Sequence, residues 1–283
     1  MSTIVVGVDG STGAADALRW AVAEGARRRW PVEAVLCWTY LDQRHPAGSP
    51  ATFDPAYGSD AAAAALDAIV LAALGEGAGC VRRTVVNDHS GPGLVERTGP
   101  DDLLVVGARG VGALRGAVLG SVSSYCLRHA RGPVAVIRPG LTPAVADRGR
   151  VVVGVDGSED AVRALAWAAE ESRLRDATLV VVHAWSLPAI AVPLIADPAP
   201  IRDAAGELDE DALVGAGVDA VPPDVEVRVV SGSPAAAVLE VADHADLLVV
   251  GSRGRGGFRG LLLGSVSHQV ATHASCPVVV VRA

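Results

Sequence analysis

Short, unbroken runs of Val, Leu and Ile recur along the chain, and the stretches between them carry apolar residues every three or four positions. The first kind of pattern predicts strands buried on both faces, and the second predicts amphipathic helices. In the first half, strands are expected at Thr3–Val8, Val32–Trp38, Val81–Val86, Leu103–Val106 and Val134–Ile137. Ser11 or Thr12 can cap a helix whose apolar face carries Ala14, Leu18, Ala21, Val22 and Gly25. An alanine-rich helix follows over 59–75, after a Pro/Gly-rich loop at 41–58, with a short helix near 92–98 and another at Ser121–His129. The second half repeats the order: strands at Arg150–Val155, Thr178–Trp185, Val225–Val230, Leu247–Val250 and Val278–Val281, and helices at 159–174, 203–215, 234–243 and Ser265–His273. Parallel strands need crossover connections, so this alternation predicts an α/β fold with a parallel sheet covered on both faces.

The repetition extends to the residues themselves. VVGVDGS occupies 5–11 and again 152–158. VVGARGVGALRGAVLGSVS at 105–123 is echoed by VVGSRGRGGFRGLLLGSVS at 249–267. In both echoes a strand-like run ends at a glycine (Gly107, Gly251). A second glycine (Gly110, Gly254) comes after two intervening residues, and a Gly-Ser pair (Gly120-Ser121, Gly264-Ser265) after nine more. Asp156 follows Asp9 by 147 positions, and Gly251 follows Gly107 by 144. Such a period is a whole domain, too long for a solenoid unit. Two tandem domains are expected over 1–138 and 150–283, joined by a linker at 139–149. Fourteen residues separate Pro92 from Gly107 but 16 separate Pro234 from Gly251, and Gly99-Pro100 interrupts the first copy. The helix before the fourth strand is therefore expected to be shorter in the first copy.

Composition narrows the function classes. Half of the 283 residues are hydrophobic, yet no apolar stretch reads as long enough to span a bilayer. The start, MSTIVVGVDG, reads as a first strand and not as a signal peptide, so a cytoplasmic location is expected. Cys37, Cys80, Cys126 and Cys276 stand singly and read as reduced thiols. A formal charge of −8 argues against nucleic-acid and anionic-membrane partners. Arg27-Arg28-Arg29, the one basic run, is expected to end a helix where cations suit the dipole. The chain contains no Lys, which removes Walker-type lysine contacts and Schiff-base chemistry. A phosphate here must be held by backbone amides, hydroxyls or Arg.

In an open parallel sheet, ligands sit beyond the carboxyl ends of the strands where the strand order reverses. Asp9 and Asp156 end the first strand of each copy, and Gly107 and Gly251 end the fourth. If these strands are neighbours, the four residues face one crevice per copy. Gly110 or Gly254 then lets the backbone approach a ligand closely. The Gly-Ser pair opens a helix and offers N–H groups, a hydroxyl and a positive dipole end to an anion. Each part alone has a plain structural reading: Asp as a turn residue, Gly as a turn, Ser as a helix cap. Their joint occurrence, twice at the same internal spacing, favours a site. His129, His183 and His273 read as structural, and neither a metal-ligand spacing nor a nucleophile arrangement is evident.

The pairing of VGVDGS with the Gly, Gly, Gly-Ser spacing resembles the universal stress protein family in its tandem two-domain form. The resemblance covers nearly the whole chain. It implies two Rossmann-like domains of the adenine-nucleotide α-hydrolase-like kind, each with a five-stranded parallel sheet ordered 3-2-1-4-5. It places the chain in the branch whose glycine pattern binds ATP. Asp9 and Asp156 would meet the adenosine end, and Cys37 and Ala184 would contact adenine through their backbones. Gly107, Gly110, Gly251 and Gly254 would line the ribose and phosphates. Gly120, Ser121 and Val122, with Gly264, Ser265 and Val266, would hold the phosphates, with Mg2+ accompanying them. Members also pair through the fifth strand about a two-fold axis. The halves are accordingly expected to form a pseudo-dimer within the chain, with a homodimer as a further step.

The leading expectation is thus an ATP-binding regulatory or sensor protein of the stress response, with one site per domain. The rival is a slow ATPase or phosphotransferase. Arg109, Arg115, Arg253, Arg255 and Arg259 could supply charge for phosphoryl transfer, but no base is evident. A pyrophosphatase or adenylating enzyme of similar topology would need SGGxDS-type or HxGH-type loops, which the chain does not carry.

Overall fold

The computed structural model describes residues 2–44, 53–110, 119–140, 149–185, 224–255 and 261–282. The chain divides into two compact units, Met1–Val145 and Ala146–Ala283. The first runs β1 (Ile4–Gly7), α1 (Thr12–Arg28), β2 (Val32–Trp38), α2 (Ser59–Leu74), β3 (Val81–Asn87), α3 (Ser90–Arg97), β4 (Leu103–Gly107), α4 (Ser121–His129) and β5 (Val134–Ile137). The second runs β6 (Arg150–Val155), α5 (Glu159–Arg175), β7 (Thr178–Trp185), β8 (Val225–Ser231), α6 (Pro234–Val241), β9 (Leu247–Gly251), α7 (Ser265–His273) and β10 (Val278–Val281). The helix expected over 203–215 lies outside the described residues, as do Arg115 and Arg259.

Within the first unit the parallel strands are ordered β3-β2-β1-β4-β5, and within the second β8-β7-β6-β9-β10. The strand order reverses at β1 and at β6. Ile4 lies opposite both Val32 and Leu103, and Val151 opposite both Leu179 and Leu247. Ile4, Leu103, Leu104, Leu179, Leu247 and Leu248 are wholly buried, which is why these strands read as unbroken apolar runs. β3 and β8, each last in its unit's order on one side, carry polar exposed positions instead (Arg82, Arg83; Glu226).

Helix α1 uses Ser11 as its N-cap, with the Ser11 hydroxyl accepting from the Ala14 N–H at 3.1 Å. Ser158 caps α5 in the same way through Ala161 at 3.2 Å. Arg29 closes α1 in the left-handed region, at φ 56°. The basic run has a second role that its charge alone does not reveal. The Arg28 side chain is only 2% exposed, its Nε 2.8 Å from Glu24 Oε1, and its guanidinium lies over Trp30 at 4.9 Å. Glu171 and Arg175 form the same i,i+4 pair in the second unit at 2.7 Å.

Two expectations are corrected. Helices α3 and α6 are both eight residues long. The apparent shortfall arises because Pro92 is the third residue of α3 whereas Pro234 is the first of α6. Both sit in the first turn, where N–H groups lack intrahelical partners and Pro is tolerated. Second, α2 with the 3-10 turn that continues it, Ser59–Cys80, spans 22 residues, reaches a mean hydropathy of 1.6 over 18 of them, and is long and apolar enough to cross a membrane by length and composition. Here its buried face, Ala62, Ala65, Leu66, Ile69 and Val70, packs against α1, β2 and β3. A run rich in alanine gains hydropathy without large side chains, so its apolar character does not stand out in the residue pattern.

Candidate functional site

Each unit has a cavity at the carboxyl ends of its central strands, of about 530 Å³ in the first and about 780 Å³ in the second. Asp9, Cys37, Gly107, Gly110, Gly120, Ser121 and Val122 all line the first. Asp156, Ala184, Gly251, Gly254, Gly264, Ser265 and Val266 all line the second. Neighbouring placement of β1 with β4, and of β6 with β9, is what brings the Asp-Gly-Ser turn and the glycine loop together.

The Asp carboxylates fold the loops that frame the cavity. Asp9 Oδ1 accepts from the Ser11 N–H at 3.0 Å, and Asp156 Oδ1 from Ser158 N–H at 3.1 Å. Asp156 Oδ2 also accepts from the Arg255 N–H at 2.9 Å, tying the glycine loop to the end of β6. A Cβ at Gly110 would run into the Asp9 carboxylate, and one at Gly254 into that of Asp156. At Gly107 a Cβ would stand 2.8 Å from the Gly13 carbonyl carbon, and at Gly251 2.8 Å from that of Asp160. Gly107 and Gly251 are therefore required by the approach of a helix's first turn before any ligand is considered, whereas a side chain at Gly110 or Gly254 would have to displace only the end of a carboxylate.

Helices α4 and α7 begin differently from α1 and α5. Their N-cap residues are Gly120 and Gly264, which have no side-chain oxygen, and neither helix has a side-chain cap. Ser121 and Ser265, the first helical residues, are exposed at the cavity. The Gly120 N–H is held by the Ala108 carbonyl at 2.8 Å, and the Gly264 N–H by Ser252 at 2.7 Å. Two residues into each helix lies a serine that sequence reasoning missed. Ser123 Oγ, buried, lies 3.0 Å from the Gly120 carbonyl and 3.3 Å from that of Ala108. Ser267 Oγ lies 2.6 Å from the Gly251 carbonyl and 3.1 Å from that of Ser252. The repeated Gly-Ser-Val-Ser string carried that signal: one serine faces the cavity and the other locks helix to loop. An uncapped helix start with an exposed hydroxyl can hold an anion through N–H groups and the positive dipole end.

The first cavity also contains Asp42 and Arg44, from the loop after β2. Arg44 Nη2 bonds Asp42 at 2.6 Å, and the Arg44 carbonyl accepts from the Tyr57 hydroxyl at 2.6 Å. Loop geometry alone places them there, so sequence spacing offered no signal. Burial, reinforced by Asp88 and opposed by Arg44, pushes the Cys37 thiol up to about 12. Burial, with Cys37 nearby, does the same for Cys126. Reaction needs thiolate and access, so iodoacetamide at pH 8 is expected to alkylate only exposed Cys80 rapidly. Mass spectrometry should show the other three cysteines modified only after unfolding. Rapid native-state labelling of Cys37 would contradict this burial. Among the described residues no group of three or more His, Cys, Asp or Glu is placed to hold a metal ion.

A doubly wound α/β unit with an open helix start at its switch point, present twice in one chain, defines the class: a tandem protein of Rossmann-like domains. The family follows from comparison. The model of the universal stress protein family matches residues 1–138 and 148–282, and the chain belongs to that family. A universal stress protein of Mycolicibacterium smegmatis is 37% identical over 99% of this chain and 96% of its own length. One from Mycobacterium tuberculosis is 36% identical with the same coverage. Among solved structures, a universal stress protein from Archaeoglobus fulgidus matches with a TM-score of 0.66 at 20% identity, over 99% of this chain and 96% of that one. That last likeness concerns the fold.

Proposed function

We propose that each unit holds one ATP, with Mg2+ carried on the phosphates, and that the chain serves as a regulatory or sensor protein of the stress response, not as a catalyst. The observation that carries this reading is a contrast within one cavity. The start of α1 is closed by its own serine, whereas the start of α4 is left open with Ser121 exposed, and α5 and α7 repeat the contrast. An anion is the natural complement of the open end. Cavities of about 530 and 780 Å³ also suit a ligand of nucleotide size. In this reading Asp9 and Asp156 face the adenosine end, and Cys37 and Ala184 contact adenine through their backbones. Gly107, Gly110, Gly251 and Gly254 line the ribose and phosphates, and Gly120–Val122 and Gly264–Val266 hold the phosphates. The same proposal includes a cytoplasmic location and self-association as a homodimer, the latter checked by sedimentation.

The sites are expected to be separable. Gly110→Glu places a second carboxylate against Asp9 and into the first cavity, and Gly254→Glu does so against Asp156 in the second. Calorimetry should find two ATP per parent chain, one in each single variant and none in the double variant, with circular dichroism unchanged. Loss of all binding in Gly110→Glu alone would refute independent sites. Bound ATP should be recovered intact. Steady phosphate release that vanishes in Asp156→Ala or Ser265→Ala, with binding retained, would instead establish hydrolysis.

A further inference from the structure

The two cavities share their glycine pattern and differ in the charge set beside it. The second residue of α1 is Gly13, and the second residue of α5 is Asp160. Asp160 lines the second cavity and is only 4% exposed. Its Oδ2 accepts from Ser252 Oγ at 2.6 Å and from the Arg253 N–H at 2.9 Å, and lies 3.5 Å from Arg253 Nε. Arg253 of the second glycine loop thus sets its Nε beside a carboxylate, while the Arg255 guanidinium lies against Gly157. In the first unit, Arg109 lines the cavity opposite a glycine. A Cβ at Gly13 would stand 2.7 Å from the Arg109 carbonyl oxygen, so that packing admits no acid there. The first residues of the same helices, Thr12 and Glu159, add to the difference, although Glu159 is exposed and more strongly screened.

A buried carboxylate acts on a nearby anion through a low-dielectric medium, and its repulsion grows with the ligand's charge. We propose that Asp160 is a specificity-determining residue by which the second cavity selects adenine nucleotides on phosphate charge. That cavity prefers a monophosphate, or a triphosphate neutralised by a divalent cation, over the free triphosphate, and the first cavity accepts the free triphosphate. The inference rests on the nucleotide reading above and assigns different ligand states to its two sites.

Calorimetry on the full chain tests it, with Gly110→Glu isolating the second cavity and Gly254→Glu the first. In EDTA, ATP should bind the second cavity about tenfold more weakly than the first, while AMP binds the two within about threefold. Mg2+ should narrow the ATP difference. Asp160→Asn on the Gly110→Glu background keeps an acceptor for Ser252 and Arg253 and removes the charge. It should recover about tenfold in metal-free ATP affinity, with AMP affinity rising by no more than about threefold. An unchanged ATP-to-AMP ratio in Asp160→Asn overturns the proposal. Should that variant fold poorly, equal ATP-to-AMP ratios for the two cavities in the isolating variants overturn it as well. Absence of adenine-nucleotide binding at either site would overturn the nucleotide reading itself, a result distinct from equal ratios at two occupied sites.

Discussion

Arg28→Ala is expected to cost the first unit about 3 kcal/mol of stability. Glu24 has no exposed side-chain surface and the Arg28 side chain only 2%, so the pair is held out of water. Removing one partner of a buried pair typically costs about 3–5 kcal/mol, because the remaining charge stays desolvated. The lower end applies here, since Arg27 Nη1 lies 3.9 Å from Glu24 Oε2 and can move closer. Arg175→Ala should have a similar or larger effect in the second unit, where Glu171 and Arg175 are equally buried. Glu24→Leu with Arg28→Met removes both charges and should fall within about 1 kcal/mol of the parent, because well-packed apolar replacements of buried pairs are often neutral. Arg228→Ala supplies the control. Its pair with Glu226 is 40% and 45% exposed, and losing it should cost less than about 1 kcal/mol. Urea unfolding midpoints decide the matter. Equal effects of Arg28→Ala and Arg228→Ala would show that burial does not set the value of these pairs.

Strand identity and parallel pairing were legible because burial on both faces leaves a clear mark, whereas the strand order came only with the family resemblance. IVVG, LLVVG and VVVV contain hardly a polar atom, and in a parallel sheet that is what the centre demands. The glycine loops were legible for a related reason: only Gly fits where the first turn of α1 presses on the chain at Gly107. The buried ion pairs and the hydroxyls that lock helix to loop were harder to read. Glu24 and Arg28 have the spacing of an ordinary exposed helical pair, and nothing local says that this face turns inward. Ser123 and Ser267 look like surface serines until helix and loop are docked. Arg44 reaches the cavity from a connection whose course no periodicity predicts. The misread length of α3 came from aligning Pro92 with Pro234, although Ser90 and Pro234 hold equivalent first positions in their helices.

ATP at a hundredfold excess over its dissociation constant is expected to stabilise each unit by about 2.7 kcal/mol, since a ligand bound only to the native state contributes RT ln(1 + [L]/Kd). For units of this size, that corresponds to a rise in Tm of roughly 10 °C. In the proposed reading the open starts of α4 and α7 hold phosphate, which would then supply most of the effect. Adenosine should therefore stabilise far less, having nothing to offer Ser121 or Ser265. A non-hydrolysable ATP analogue should match ATP, because holding the phosphates needs no bond to break. Mg2+ should enlarge the shift, most of all in the unit where Asp160 adds negative charge. Gly110→Glu should remove the shift from the first unit and leave it in the second, and Gly254→Glu the reverse, as scanning calorimetry of the full chain would reveal. Equal shifts with adenosine and ATP would refute the assignment of the open helix starts to phosphate, whatever the affinity. An ATP shift that survives in the double variant would place the nucleotide outside both cavities.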